Sequence, residues 1–328
     1  MSNKQKESLM KKRRFIFLII IVGIVFASVL AGLIVYMKQT EDLELQQNVY
    51  FTEFNITEEA TTIFKYDPVK KQSLEIGRVK DYFHSCLIND EESYITGVLA
   101  PGLRTDSFEV IQYNLEDGSI EKKEFTEKVK DLTFGPTDFC RTLVYDDGNK
   151  ILIGCTDEEG NEGWLFYDFE TEQYNLIQDE KCGGESFLTI HNGDLWYETA
   201  GSLYRYNLET KSKTRIMKST SSLALAPDTS LVAYTKDIHR KKVYLYDLES
   251  GRNRCIAFGG WNIFYADLFF IEAQWSDDGR YLFYIKYFPK LFHSADRSLM
   301  VYDVKSGRSY CIYKELDTIH YFKYVARD

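Results

Sequence analysis

Val243-Tyr244-Leu245-Tyr246-Asp247 runs into Leu248-Glu249-Ser250-Gly251-Arg252 and then into a second strand-forming run, and this stretch decides the fold. β-Branched and aromatic residues suit the half-buried, pleated surface of a strand. Asp at the end of the first run can accept hydrogen bonds from N–H groups of its own turn. Gly supplies the positive φ that hairpin loops often need. The segment therefore reads as a strand, a tight polar turn and a returning strand.

The same pattern occurs six times. The other copies are Ile63-Phe64-Lys65-Tyr66-Asp67, Val110-Ile111-Gln112-Tyr113-Asn114, Trp164-Leu165-Phe166-Tyr167-Asp168, Leu203-Tyr204-Arg205-Tyr206-Asn207 and Leu299-Met300-Val301-Tyr302-Asp303. Lys305-Ser306-Gly307-Arg308 repeats the turn of the quoted stretch. Successive Tyr-Asp or Tyr-Asn marks are 47, 54, 39, 40 and 56 residues apart, close to the roughly 40–50 residues of a propeller blade. A second hairpin precedes most copies, as in 223–234 around Pro227-Asp228 and 273–284 around Asp278-Gly279. Two hairpins make a four-stranded sheet that cannot bury both faces alone, and radial repetition is the architecture that buries them. Tyr145-Asp146 stands outside the pattern, because it leads into Asp147-Gly148, the turn of a different hairpin.

The second hairpin resembles the TolB-type repeat, a Trp-Ser-Pro-Asp-Gly pattern followed by an apolar strand. Trp275, Ser276, Asp278 and Gly279 match, with Asp277 in place of the proline; Pro227 and Asp228 match in the earlier copy, with Thr229 in place of the glycine. The resemblance extends over most of residues 49–325 and also reaches the N-terminal propeller of prolyl oligopeptidase-like enzymes. It implies blade geometry and carries little about function. Before the first mark there is one candidate strand, Val49 to Phe54, where other copies have two; after the last, Thr318 to Tyr324 is left over. Placing that spare strand innermost in the first blade closes a ring of six, and the uneven spacings leave seven open.

Ahead of the repeats, Phe15 to Met37 carries no charge, a run of 23 residues. At about 1.5 Å per residue it is long enough to cross a hydrocarbon core of about 30 Å. Lys4, Lys6, Lys11, Lys12, Arg13 and Arg14 precede it against one acid, Glu7. That asymmetry expects a cytoplasmic tail at 1–14, a transmembrane helix at 15–37, a linker at 38–48 and an extracytoplasmic propeller at 49–328. The whole expectation is an all-β, six-bladed propeller behind a single-pass, N-terminus-inside membrane anchor. Cleavage after Val29-Leu30-Ala31 is the competing reading, although the apolar run continues beyond it. The chain is at −10 and its first 37 residues at +5, so residues 38–328 carry −15. Such a surface repels phosphate backbones and argues against nucleic acid as a partner.

No catalytic pattern stands out. Gly184-Glu185-Ser186-Phe187-Leu188 lacks the second glycine of a nucleophile elbow, the five histidines have no His-x-x-x-His spacing, and no cofactor loop is present. Asp157-Glu158-Glu159-Gly160-Asn161-Glu162 reads as a solvated turn because it lacks the alternation of a calcium loop, so neither metal nor cofactor is expected. The six cysteines include no CxxC pair; counting outward from Asp147-Gly148 places Cys140 opposite Cys155, a candidate disulfide if the thiols do not simply pack as small apolar groups.

Connection lengths point to a site. Turns inside each hairpin are short, whereas 100–107, 126–139, 156–163, 257–270 and 287–297 are long and share the opposite face. Two of these are aromatic: one carries Trp261, Phe264 and Tyr265, the other Tyr287, Phe288, Phe292, His293, Asp296 and Arg297. Aromatic anchors with a few polar groups fit a recognition surface for a protein or cell-envelope component; the competing reading is a satellite core beneath long loops. The expected function is membrane-tethered, non-enzymatic binding. The alternatives are an extracytoplasmic hydrolase or lyase with an acidic site on the propeller face, or a sensor acting through a membrane partner.

Overall fold

The computed structural model describes residues 45, 48–55, 57–100, 109–126, 129, 142–156, 161–178, 186–218, 222–235, 242–258, 270–276, 278–288, 296–314 and 320–327. The expected transmembrane segment at 15–37 lies outside them. Among the described residues no helix is long and apolar enough to cross a membrane.

Every blade is an antiparallel meander, and the Tyr-Asp or Tyr-Asn mark always ends its third strand. Blade 1 contains β1 (Val49–Asn55), β2 (Ala60–Asp67) and β3 (Gln72–Lys80), and blade 2 contains β4 (Tyr82–Ile88), β5 (Tyr94–Ala100), β6 (Glu109–Asn114) and β7 (Ile120–Lys123). Blade 3 is β8 (Thr142–Tyr145), β9 (Lys150–Thr156), β10 (Glu162–Asp168) and β11 (Gln173–Gln178). Blade 4 is β12 (Ser186–His191), β13 (Asp194–Thr199), β14 (Ser202–Asn207) and β15 (Lys213–Lys218). Blade 5 is β16 (Ser222–Leu225), β17 (Leu231–Thr235), β18 (Lys242–Asp247) and β19 (Asn253–Phe258). Blade 6 is β20 (Phe270–Trp275), β21 (Tyr281–Phe288), β22 (Asp296–Asp303) and β23 (Arg308–Lys314), after which β24 (His320–Arg327) returns to blade 1.

The ring has six blades and closes as the spare strand suggested. β24 pairs antiparallel with β1 from Tyr50↔Val325 to Asn55↔His320, supplying the innermost strand that blade 1 lacks. It begins two residues later and ends three residues later than the expected 318–324, because Ala326 and Arg327 run parallel to Leu87 and Ile88 of β4. That seam joins blades 1 and 2 into one eight-stranded sheet. Around the axis, β24, β4, β8, β12, β16 and β20 each touch the next, and β20 touches β24.

The six marks perform the local role their residue types suggest. Asp67 Oδ1 accepts from the N–H groups of Val69 and Lys70, and Asn114, Asp168 and Asp247 repeat that two-amide arrangement in their own turns. Asp303 accepts from Lys305 N–H and Asn207 from Thr210 N–H. The backbone amides of the turn hold the carboxyls of Asp67, Asp168 and Asp247 below their usual value, since a bond to the ionised form favours it. Tyr113, Tyr167, Tyr206 and Tyr302 enter the clusters that fill the seams between blades, Tyr246 packs half-buried against another, and Tyr66 is buried.

Period-two alternation splits each blade between two seams. In β9, Ile151 and Ile153 face the seam with blade 2, while Leu152 joins Trp164, Leu195, Tyr197 and Tyr206 in the seam with blade 4. In β16, Leu223 and Leu225 face blade 4, while Ala224 packs with Trp275, Leu282 and Tyr284 of blade 6. Between blades 6 and 1 the filling is aromatic: Phe51 stacks on Phe64 at 5.1 Å, and Tyr313 meets both rings.

The Trp-Ser-x-Asp-Gly turn also acquires a physical account. Trp275 Nε1 donates to Ala224 O of the preceding blade at 3.0 Å. The Ser276 hydroxyl accepts from Tyr281 N–H at 2.9 Å and donates to Asp278 at 2.6 Å, while Gly279 takes a φ of +65°. Thr229 replaces that glycine in blade 5 and still adopts a φ of 57°, a left-handed conformation that a β-branched residue resists.

A chain ending at Asp317 loses β24 and bares the backbone edge of β1. We expect this truncation to aggregate or to lose its cooperative melting transition. A soluble truncated protein melting like the full chain would contradict closure through β24.

Candidate functional site

The two faces of the ring are built from different connections. One carries the turns within hairpins, such as 146–149, 192–193 and 248–252. In the first of these Asp147 and Gly148 have φ of 53° and 81°, as a two-residue hairpin turn requires. The opposite face carries the links between hairpins: 101–108, 124–141, 157–161, 179–185, 236–241, 259–269, 289–295 and 315–319. These links are not uniformly long, contrary to the sequence expectation. The links 56–59 and 219–221 are short, Ala200-Gly201 forms a two-residue turn, and Asp81 alone joins β3 to β4. Asp81 manages this corner because its N–H donates to Glu59 O at 2.7 Å while its own carbonyl accepts from the Thr61 hydroxyl at 2.8 Å. The short links belong to blades 1 and 4, opposite each other in a ring of six. Long links are thereby concentrated on blades 2–3 and 5–6.

Both ends of the propeller lie on the turn face. β1 starts there, and the Glu92 carboxylate in the β4–β5 turn accepts from Asn48 Nδ2 at 2.7 Å and from the Tyr50 hydroxyl at 2.9 Å. Leu45, just upstream, is buried. β24 finishes beside Ile88 on the same face. In the neighbouring seam Asp147 Oδ1 accepts from Asp90 N–H at 2.9 Å, so carboxylates of adjacent turns tie blades 1, 2 and 3 together.

Of the residues expected to form the recognition surface, the structure places four by their backbone. Tyr287 lies opposite Arg297 and Phe288 opposite Asp296, at the long-link end of the β21–β22 hairpin. Trp261, Phe264, Tyr265, Phe292 and His293 lie outside the described residues. Cys140 does too, while Cys155 is buried on β9. The β8–β9 register, Thr142↔Ile153 to Tyr145↔Lys150, is the one that the Asp147-Gly148 turn implies and that placed the two cysteines opposite each other.

Beneath the same hairpin end are polar groups that the sequence reading passed over. Lys286 is half-buried on β21 opposite Ser298, which is itself buried, and burial pushes the Lys286 ammonium below its ordinary value. Toward the other end of the same blade, opposite Phe283 and near the β20–β21 turn, Gln274 Oε1 is buried without a partner among the described residues. A lysine between Ile285 and Tyr287 in an apolar strand was the available signal. Near the axis, the Ser85 and Thr142 hydroxyls meet at 2.6 Å between β4 and β8, with Ser85 at a φ of 50°. This contact clips two inner strands. Among the described residues no group of three or more His, Cys, Asp or Glu side chains is placed to hold a metal ion.

No protein-family model and no curated protein sequence matches the chain. Solved structures do. TolB from Acinetobacter baumannii superposes with a TM-score of 0.58 at 14% identity, over 85% of this chain and 66% of that one. A putative TolB from Agrobacterium tumefaciens gives 0.53 at 12% identity, over 85% of this chain and 98% of that one. The fold is that of a TolB-type propeller. The chain spans just under two thirds of the A. baumannii protein, and at these identities the TolB likeness concerns the fold alone.

On this TolB-type ring the Glu92 cluster fixes where the chain joins the propeller. Replacing Glu92 by Ala leaves Asn48 and Tyr50 without the acceptor they share. Hydrogen bonds to a charged group are worth roughly 1.5–3 kcal/mol. The Glu92→Ala protein should lose stability of that order in denaturant melts and be cleaved faster by protease around residues 45–50. Unchanged stability and unchanged cleavage would show that the cluster holds nothing.

Proposed function

We propose that the chain is a single-pass membrane protein whose TolB-type propeller binds a protein or cell-envelope component, without catalysis, through its long-link face. The anchor is the uncharged run at 15–37, with 1–14 cytoplasmic and the propeller extracytoplasmic. The observation that carries this reading is the placement of both propeller ends on the turn face, with Asn48 held by Glu92 and β24 ending beside β4. The linker expected at 38–48 then joins the propeller at its turn face, and the opposite face, to which the links bearing Trp261 and Phe292 belong, is left for recognition. Long loops on a rigid scaffold commonly carry recognition, and aromatic anchors dominate the energetics of such surfaces.

The test combines topology with capture. Protease added to intact cells stripped of any outer barrier should release the propeller as one resistant unit; a C-terminus accessible only after lysis would reverse the orientation. Photo-cross-linking of the full chain in its own membrane should capture a partner. Trp261→Ala and Phe292→Ala should each lower capture about 30-fold, the equivalent of about 2 kcal/mol, at unchanged melting temperature. Melting lowered by several degrees in both variants would make these aromatics satellite core and remove the site.

A further inference from the structure

Among the described residues the six outer strands of the ring pair on one side only, and five of them carry devices that keep other chains from pairing with them. β3, β15, β19 and β23 each contain a register shift against the third strand of their blade, and each bears at least one Lys or Arg. β7 is only four residues long, and three of them, in Ile-Glu-Lys-Lys, are charged. Shortness, bulges and charge are the recognised means of blunting an edge. β11 has none of these. It is Gln173-Tyr174-Asn175-Leu176-Ile177-Gln178, six residues without a charge, and it pairs with β10 in unbroken register from Gly163↔Gln178 to Asp168↔Gln173. Gln173, Tyr174, Asn175 and Gln178 are exposed, and Tyr174 is among the few exposed large hydrophobic residues described, at 45%.

We propose that β11 is a dimerisation edge, pairing antiparallel with β11 of a second copy about a two-fold axis at Asn175. An antiparallel pair related by a two-fold normal to the sheet must place residues of the same parity opposite each other. Centring on Asn175 sets Tyr174 against Leu176 of the other copy, twice, and Asn175 against itself. The half-exposed apolar side chains of this edge thereby cover one another. A second copy also satisfies the electrostatics. Residues 38–328 carry −15, so two copies repel wherever charged surfaces meet, and the charge-free edge is where that repulsion is least.

The twist of the blade gives the dimer its orientation. Neighbouring strands rotate by about 20–25°, so the three steps from β8 to β11 turn the sheet by about 60–75°. A sheet whose normal is tangential at the innermost strand has its normal near the ring axis at the outermost one. The two-fold at β11 therefore runs nearly parallel to the ring axis. The two propellers lie side by side with their turn faces on the same side, an arrangement open to two copies tethered in one membrane. The pairing itself stands whether or not the tether does.

The full chain in detergent micelles, studied by sedimentation velocity at micromolar concentration, tests this directly. The wild type should sediment as a dimer, and Asn175→Lys, which puts two ammonium groups face to face, should sediment as a monomer with unchanged far-UV circular dichroism. Asn175→Cys, mildly oxidised, should give a covalent dimer whose peptide map contains a 175–175 disulfide, with wild type oxidised alongside to account for Cys255 and Cys311. This second variant keeps the proposal testable if the lysine variant misfolds. A monomeric wild type, a dimer indifferent to Asn175→Lys, or a cysteine variant with no 175–175 link would each overturn it.

Discussion

The pairing of β24 with β1 is the constraint on which the rest of the structure depends. Without it blade 1 has three strands, and β1 and β4 are left with open inner edges. With it, the first and last strands of the propeller become neighbours in one sheet, from Tyr50↔Val325 to Asn55↔His320, and no inner strand lacks a neighbour. The cost is topological. Pairing residues more than 250 positions apart requires closing a very long loop, which slows folding more than it weakens the folded state. The aromatic filling of the last seam, Phe51, Phe64 and Tyr313, and the Tyr313 hydroxyl donating to Glu53 at 3.3 Å supply the side-chain contacts that offset that cost.

Closure also decides how the molecule presents itself. Because β1 is a second strand rather than a first, it starts on the turn face; because β24 is a first strand, it ends there. The Glu92 cluster locks one of these ends, and the parallel contact with β4 locks the other. The opposite face is left to the links between hairpins, long on blades 2–3 and 5–6 and short on blades 1 and 4. The geometry therefore separates the face at which the chain enters and leaves the propeller from the face of the links between hairpins, while β11 lies at the outer rim.

Much of this was legible in the sequence because blade formation rests on local chemistry. Asp or Asn after Tyr captures turn amides in all six copies, and Asp147-Gly148 fixes a hairpin register to the residue. The spare strand was visible by counting. What escaped was set by tertiary context. The single-residue corner at Asp81 depends on partners at Glu59 and Thr61 that no local pattern reveals, and the Ala200-Gly201 turn lacks the usual Asn-Gly signature. Lys286 reads as an ordinary strand residue until the packing of blade 6 buries it. The candidate recognition residues were inferred from aromatic content and link length, which point to a face but do not arrange its side chains.

Native-state hydrogen exchange of the full chain tests ring closure most directly. If β24 is an integral blade strand, the amides of 51–55 and 321–325 should exchange with one common free energy. That free energy should match the global unfolding free energy measured at core positions such as Leu152 and Val232, because a closed ring opens as a unit. Residues 320–327 exchanging at the rate of an unstructured peptide, while the other blades stay protected, would contradict the account.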